Sequence, residues 1–284
     1  MRKIILFAGI LVFFSNPCFA KCNYMDRCTE YSIDQFAKLG QFFSNTTGST
    51  TLAENFANQL IKQKLQQVTN QDFDVDLQAF SLGELIQGKF KSLTISGKNV
   101  ELEGIHISSL KVQTLCGFNN VNLKNRPLTL DENIVLGFWL EVSENDLKNT
   151  LQNPKYMNQL NKINLSSAGI RGFQIYPSTI NISDGVLYIT INALIFNQQS
   201  PIDILMSYNI NIKDEKIVTY KTTFANLFHN FSLSGISDIL NPTKYLNFPV
   251  NLYGNSQAEI QIRDLSFSGN SMLLHGMIFL PKTS

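Results

Sequence analysis

Apolar residues near the start of the chain recur at spacings of three and four, and through most of the rest at spacings of two. Between Thr51 and Val68, Leu52, Ala53, Phe56, Ala57, Leu60, Ile61, Leu65 and Val68 share one side, with Gln, Asn and Lys62 opposite. That is the pattern of an amphipathic helix with a wide apolar face. A shorter helix is predicted over Ile33–Phe43, ended by the loop-favouring stretch Thr46-Thr47-Gly48-Ser49. From Asp72 the period becomes two. Phe73, Val75 and Leu77 alternate with Asp72, Asp74 and Asp76, and the same rhythm returns in Leu93/Ile95, Val100/Leu102, Ile105/Ile107, Leu110/Val112, Ile134/Leu136/Phe138/Leu140 and Ile260/Ile262. Asp184-Gly185 and Lys213-Asp214-Glu215 lie between such runs as short turns, so the strands are expected to pair antiparallel. Ser143 precedes Asp146 by three residues at a helix start of capping-box type, and Pro154 divides that helix into two pieces.

Two distant segments share a layout. Ser96-Gly97 through Ile107 and Ser268-Gly269 through Phe279 both run Ser-Gly, a short turn, an apolar residue, Leu two later, then Gly and alternating apolar positions. The match predicts two hairpins of one design, each with glycine where the strand bends, unless similar turn chemistry arose twice.

The amino end changes the setting of this fold. Arg2 and Lys3 are followed by the apolar run Ile4–Phe14 and by Ser15-Asn16-Pro17-Cys18-Phe19-Ala20, the layout of a secretory signal peptide over 1–20 cleaved after Ala20. The run is too short to span a bilayer. An exported protein in an oxidising compartment is the expectation. Cys22, Cys28 and Cys116 would then remain, and the short loop between the first two makes a Cys22–Cys28 disulfide the expected pair, leaving Cys116 as a free, buried thiol. Residues 21–50 are expected to form this cysteine-bearing turn and the short helix.

Charge narrows the partners. The full chain has a formal charge of +1, and a leader carrying Arg2 and Lys3 but no acid would leave −1, so a nucleic-acid partner has no electrostatic support. Only 16% of residues are charged, against about 25% in ordinary soluble domains, so much of the surface is polar without charge.

Three further stretches carry a resemblance. They are Leu82-Gly83-Glu84-Leu85 with Lys89-Phe90 and Ile95-Ser96-Gly97 to Leu110; Val142-Ser143-Glu144-Asn145-Asp146-Leu147 with Leu151 and Pro154; and Leu240-Asn241-Pro242 with Phe248-Pro249-Val250, Ile260-Gln261-Ile262 and Leu274-His275-Gly276. In order and spacing they resemble the LmeA-like phospholipid-binding family, similar in architecture to the tubular lipid-binding (TULIP) superfamily. The resemblance runs from about Leu52 to Leu280, and Cys22–Asn45 has no counterpart in it. It implies an α+β domain over 51–284, in which a long curved antiparallel sheet wraps the N-terminal amphipathic helix, and a phospholipid ligand. The family offers no fixed catalytic constellation, so no catalytic residue is carried over.

No Gly-x-Ser-x-Gly, His-Glu-x-x-His, Cys-x-x-Cys or phosphate-cradling glycine loop occurs, and no cofactor or metal is expected. His106, His229 and His275 are scattered; Asp72, Asp74 and Asp76 lack the glycine of a calcium loop and read as one solvated strand face. Lys89, Lys91, Lys98, Lys111, Lys124 and Arg126 outnumber Glu101 and Glu103; they read as solubilising charge, with contact to anionic headgroups as the alternative. Alternation places Leu102, Ile105, Leu136, Phe138, Leu274 and Met277 inside the curved sheet with Phe56 and Leu60, as the expected lipid lining, and Trp139 at a lipid entrance or buried beneath a helix. The expected function is non-catalytic phospholipid binding with transient membrane contact. A structural protein with a filled core and an envelope enzyme with an unrecognised site stay open as alternatives.

Overall fold

The computed structural model describes residues 24–29, 49–102, 104–123, 129–161, 173–195, 201–225 and 258–283. The leader, Cys22, the helix expected over Ile33–Phe43, His229, and the Leu240–Pro242 and Phe248–Val250 segments lie outside the described residues.

The class is the one expected: α+β, dominated by antiparallel strands. One six-stranded sheet has the order β1 (Asp74–Gln78), β3 (Ser92–Leu102), β4 (Ile105–Thr114), β7 (Ile134–Ser143), β13 (Ser271–Leu280), β12 (Glu259–Ser268). A second, four-stranded sheet is a meander of β8 (Phe173–Ser183), β9 (Val186–Ile195), β10 (Ile202–Lys213) and β11 (Lys216–Ala225). The predicted turns at Asp184-Gly185 and Asp214-Glu215 close its hairpins, and Asp184, Asp214 and Glu215 all take positive φ. Short strands β2 (Lys89–Phe90), β5 (Asn119–Asn122) and β6 (Thr129–Leu130) form a small third sheet.

The two large sheets face each other across the main core. Phe138, Val142, Ile262, Met272 and Leu274 from one pack against Ile182, Leu187, Ile189, Ile191, Met206 and Tyr208 from the other. Helix α3 (Glu144–Gln152) enters the layer from one side with Leu147 and Leu151. Its start is the predicted capping box: Ser143 Oγ accepts from the Asp146 amide and Asp146 Oδ2 accepts from the Ser143 amide at 2.8 Å. Ser108 also donates to that carboxylate, and Glu144 accepts the Ile182 amide at 2.7 Å, tying both sheets to one helix end. Helix α4 (Pro154–Asn161) begins at the proline, where fixed φ suits a first helical position.

Helix α1 (Ser49–Thr69) is present, but it runs along the edge of the six-stranded sheet instead of lying inside it. Ala57 and Ile61 pack on Leu77, Ala79 and Phe90, and Leu65 joins Phe73, Val100, Ile105, Ile107 and Tyr156. Asn58 Oδ1 accepts the Leu77 amide at 2.9 Å and Glu54 Oε1 the Ala79 amide at 2.7 Å, so the helix satisfies backbone donors that an edge strand leaves unpaired. This polar clasp explains why only part of the apolar face is buried.

The repeated layout does not give two equivalent hairpins. Gly269 sits in the β12–β13 turn at φ +57°, whereas its counterpart Gly97 is inside β3, where a Cβ would meet Phe73 and Val100. Gly104 turns the first hairpin while Gly276 lies inside β13 under the Phe138 ring. The two glycines of each segment have exchanged duties.

Candidate functional site

Strand register sorts the expected lipid-lining residues. Cross-strand partners share a face, so the row Val112–Phe138–Gly276–Ile262 and the neighbouring row Thr114–Leu136–Ile278–Ile260 both look toward the four-stranded sheet. In the first row Phe138 and Ile262 are buried; in the second Leu136, Ile278 and Ile260 are half-buried, marking where the cover becomes thinner. A missing side chain at Gly276 lets the Phe138 ring lie across β13, because a Cβ there would meet the ring at 2.4 Å.

The other expected lining residues do not join them. Leu274 is in the main core, but Leu102 and Ile105 belong to the separate cluster around Phe73 and Val100. Alternation breaks between them and the main core, since Lys98 and Asn99 are both exposed and Asn99 takes φ 51°. Phe56 and Leu60 point outward from α1, 64% and 45% exposed. Met277, three residues from Leu274, is on the opposite face of β13 in contact with Cys116 and Val135. A spacing of three along a strand cannot keep two side chains on one face.

The outer face of the same sheet carries a row that the spacing argument passed over. Lys111, Trp139, His275 and Asp264 are consecutive cross-strand partners on β4, β7, β13 and β12. The indole and imidazole rings stack at 4.9 Å and 10°, and Lys111 Nζ stands 5.3 Å from the indole. Ser109, Glu141, Ser266 and Leu273 complete a cleft of about 360 Å³ beside them. Trp139 therefore faces away from Leu136 and Phe138. A register shift between Ile262 and Asp264 is what aligns Asp264 with His275, and bulges of this kind have no signature in apolar spacing.

Burial lowers the His275 pKa from its ordinary 6.5, and the nearby Asp264 carboxylate only partly opposes this. The folded protein thus favours neutral His275, and its contribution to stability is present above pH 6.5 and lost as pH falls through the lower folded value. We expect thermal unfolding measured on the acid side of neutrality to show a smaller loss for His275→Gln than for the parent chain. Equal slopes would remove His275 as the cause.

The disulfide differs from expectation. Cys28 is bonded to Cys116, 88 residues away, with Cα atoms 5.5 Å apart. Loop length alone favours a near neighbour, but folding had already brought the end of β4 beside the N-terminal segment. Cys116 is accordingly neither free nor a lone buried thiol. The bond holds the single 3₁₀ turn Met25–Arg27 over the outer face, where Tyr24 and Cys28 pack on Val135, Met277 and Cys116. Arg27 lies 4.5 Å over the Phe279 ring and pairs with Glu259 at 3.2 Å, while Arg263, the bulge residue, pairs with Glu215 at 2.8 Å. Tyr24, Arg27, Phe279, Arg263 and Glu215 rim a second cleft of about 250 Å³.

No curated protein and no solved structure matches the chain. A family model described as LmeA-like phospholipid-binding does match, over residues 48–271, which takes in α1, the four-stranded sheet and the six-stranded sheet up to the first residue of β13. With most of its length inside that match, the chain belongs to the LmeA-like phospholipid-binding family.

Proposed function

We propose that the protein is a non-catalytic carrier or sensor of phospholipid, exported to the cell envelope, which holds acyl chain against the half-buried row Leu136–Ile278–Ile260 and meets membranes transiently. The observation that carries this reading is the row itself: it continues the apolar layer between the sheets past the point where its side chains are fully covered. The family supports a phospholipid as ligand, and the Cys28–Cys116 bond supports an oxidising compartment.

The energetics suit loading at a membrane. Each CH₂ leaving water gains about 0.8 kcal/mol, so long chains do not escape into water on a useful timescale. Passing from a bilayer to a groove exchanges one apolar setting for another, and the net change is small. Neither step requires a bond to be made or broken.

Lipid extraction from the purified protein followed by mass spectrometry provides the test, with Leu136→Glu beside the parent chain. A carboxylate at this half-buried position can keep its hydration in the empty protein but repels an acyl chain. We expect the variant to retain cooperative unfolding and lose most of its bound lipid. A folded variant with the full lipid load would place the ligand elsewhere.

A further inference from the structure

We infer that the end of the molecule built from α1, helix α2 (Leu82–Ile86) and β5 is a docking surface for an anionic lipid bilayer. This rests on the phospholipid-binding reading, since a lipid carrier has to meet a bilayer to load.

Four large apolar side chains are held in water there: Leu52 is 72% exposed, Phe56 64%, Ile86 69% and Leu123 51%. Isolated exposed leucines are ordinary, but a group gathered on adjoining elements marks an interaction surface. Their adjacency follows from the packing beneath them. Leu85 shares a cluster with Ala57 and Ile61, so α2, which carries Ile86, packs on α1, which carries Leu52 and Phe56. Gly88 lies against Leu123, where a Cβ would stand 3.3 Å from its Cγ, and the Val121 amide donates to the Gly88 carbonyl at 3.0 Å. On α1, Leu52, Phe56 and Leu60 recur every four residues and form one outward stripe. The residues expected to line the lipid site thus present their apolar surface to the outside.

Charge selects the occupant. Lys89 and Lys91 lie at the base of α2, close enough to act on the Glu84 carboxylate. The acids of α1 and α2 themselves are turned inward, with Glu54 accepting the Ala79 amide and buried Glu84 accepting from Ser81 Oγ at 2.9 Å, while Asp74 and Asp76 on the neighbouring β1 stay exposed. Apolar side chains flanked by two lysines suit the interface of an anionic bilayer, where the hydrocarbon takes the former and the headgroups meet the latter. A protein partner is disfavoured because lysine is depleted from protein interfaces.

Sedimentation with vesicles tests this, using phosphatidylcholine alone and phosphatidylcholine mixed with phosphatidylglycerol. The parent chain should sediment with the mixed vesicles and only weakly with the neutral ones. Lys89→Gln/Lys91→Gln should weaken partition onto the mixed vesicles roughly thirty-fold, and Phe56→Glu/Ile86→Glu should abolish it on both. All four positions are on the surface, so both variants should keep the parent's unfolding temperature and bound lipid. Failure of the parent to bind mixed vesicles, or unchanged binding by Phe56→Glu/Ile86→Glu, would overturn the proposal; so would a dimer in light scattering that Phe56→Glu disperses. Vesicle binding that these substitutions remove, in a protein that purifies without lipid, would uphold the docking surface and sink the lipid-binding reading instead. Bound lipid with no vesicle binding would do the reverse.

Discussion

Cys28→Ser is expected to lower the stability of the folded chain by about 4 to 5 kcal/mol, among the largest effects of any single substitution in the protein. The magnitude follows from the 88-residue separation of Cys28 and Cys116, since an open chain regains the freedom of a long loop when it unfolds. Part of the loss is local. The freed N-terminal turn no longer has to stay on Val135 and Met277, so an apolar strip on the outer face becomes accessible to water. Urea unfolding of the parent, Cys28→Ser and Cys28→Ser/Cys116→Ser under non-reducing conditions measures this, and the two variants should have the same midpoint. A loss below about 1 kcal/mol, or a Cys116 thiol that reacts with a thiol reagent in the native parent, would contradict the bond.

The second large effect is expected at Phe138. Phe138→Asp should abolish cooperative folding, with a cost above about 4 kcal/mol, because it both empties the space of a buried ring and leaves a carboxylate without a partner. The ring is 6% exposed, spans Gly276 and lies in the apolar cluster between the sheets, so the charge would be buried among apolar side chains. Leu136, two residues earlier on the same face, provides the contrast, since it is half-buried and its carboxylate replacement should fold. Circular dichroism and thermal melts of the two variants, run together, separate a closed core from an open groove. If Phe138→Asp melts like the parent, the core between the sheets is looser than its burial indicates.

The same comparison locates the limit of alternation as a guide. It identified Phe138 and Leu136 as sharing a face, and the register agrees, because side chains two apart on a strand point the same way whatever surrounds them. It could not tell that one would be buried in the core cluster between the sheets and the other would stand near the edge of that cover. Coverage depends on where a distant hairpin comes to rest.

Much of the local structure was legible in the residues. The apolar stripe of α1, the Ser143–Asp146 capping box, the division at Pro154 and the turns at Asp184-Gly185 and Asp214-Glu215 each depend on groups within a few residues of one another. Such interactions are complete in the segment itself, so neighbours can reinforce them but need not create them. One of these stretches, Val142–Leu147 with Pro154, also carried part of the family resemblance.

What only the tertiary structure decided involves partners far apart in the chain. The Cys28–Cys116 bond needed the end of β4 beside the N-terminal turn, and the Lys111–Trp139–His275–Asp264 row needed four strands in one register with a bulge after Ile262. Phe56 and Leu60 carried the pattern of a core face, yet Asn58 and Glu54 on the same helix were the groups that met the sheet edge and turned that pattern partly outward. Period and spacing state which side chains lie on one side of an element. Which side meets protein, lipid or water is set by the sum of backbone hydrogen bonds and packing that the whole chain can satisfy at once, and no segment carries that sum within itself.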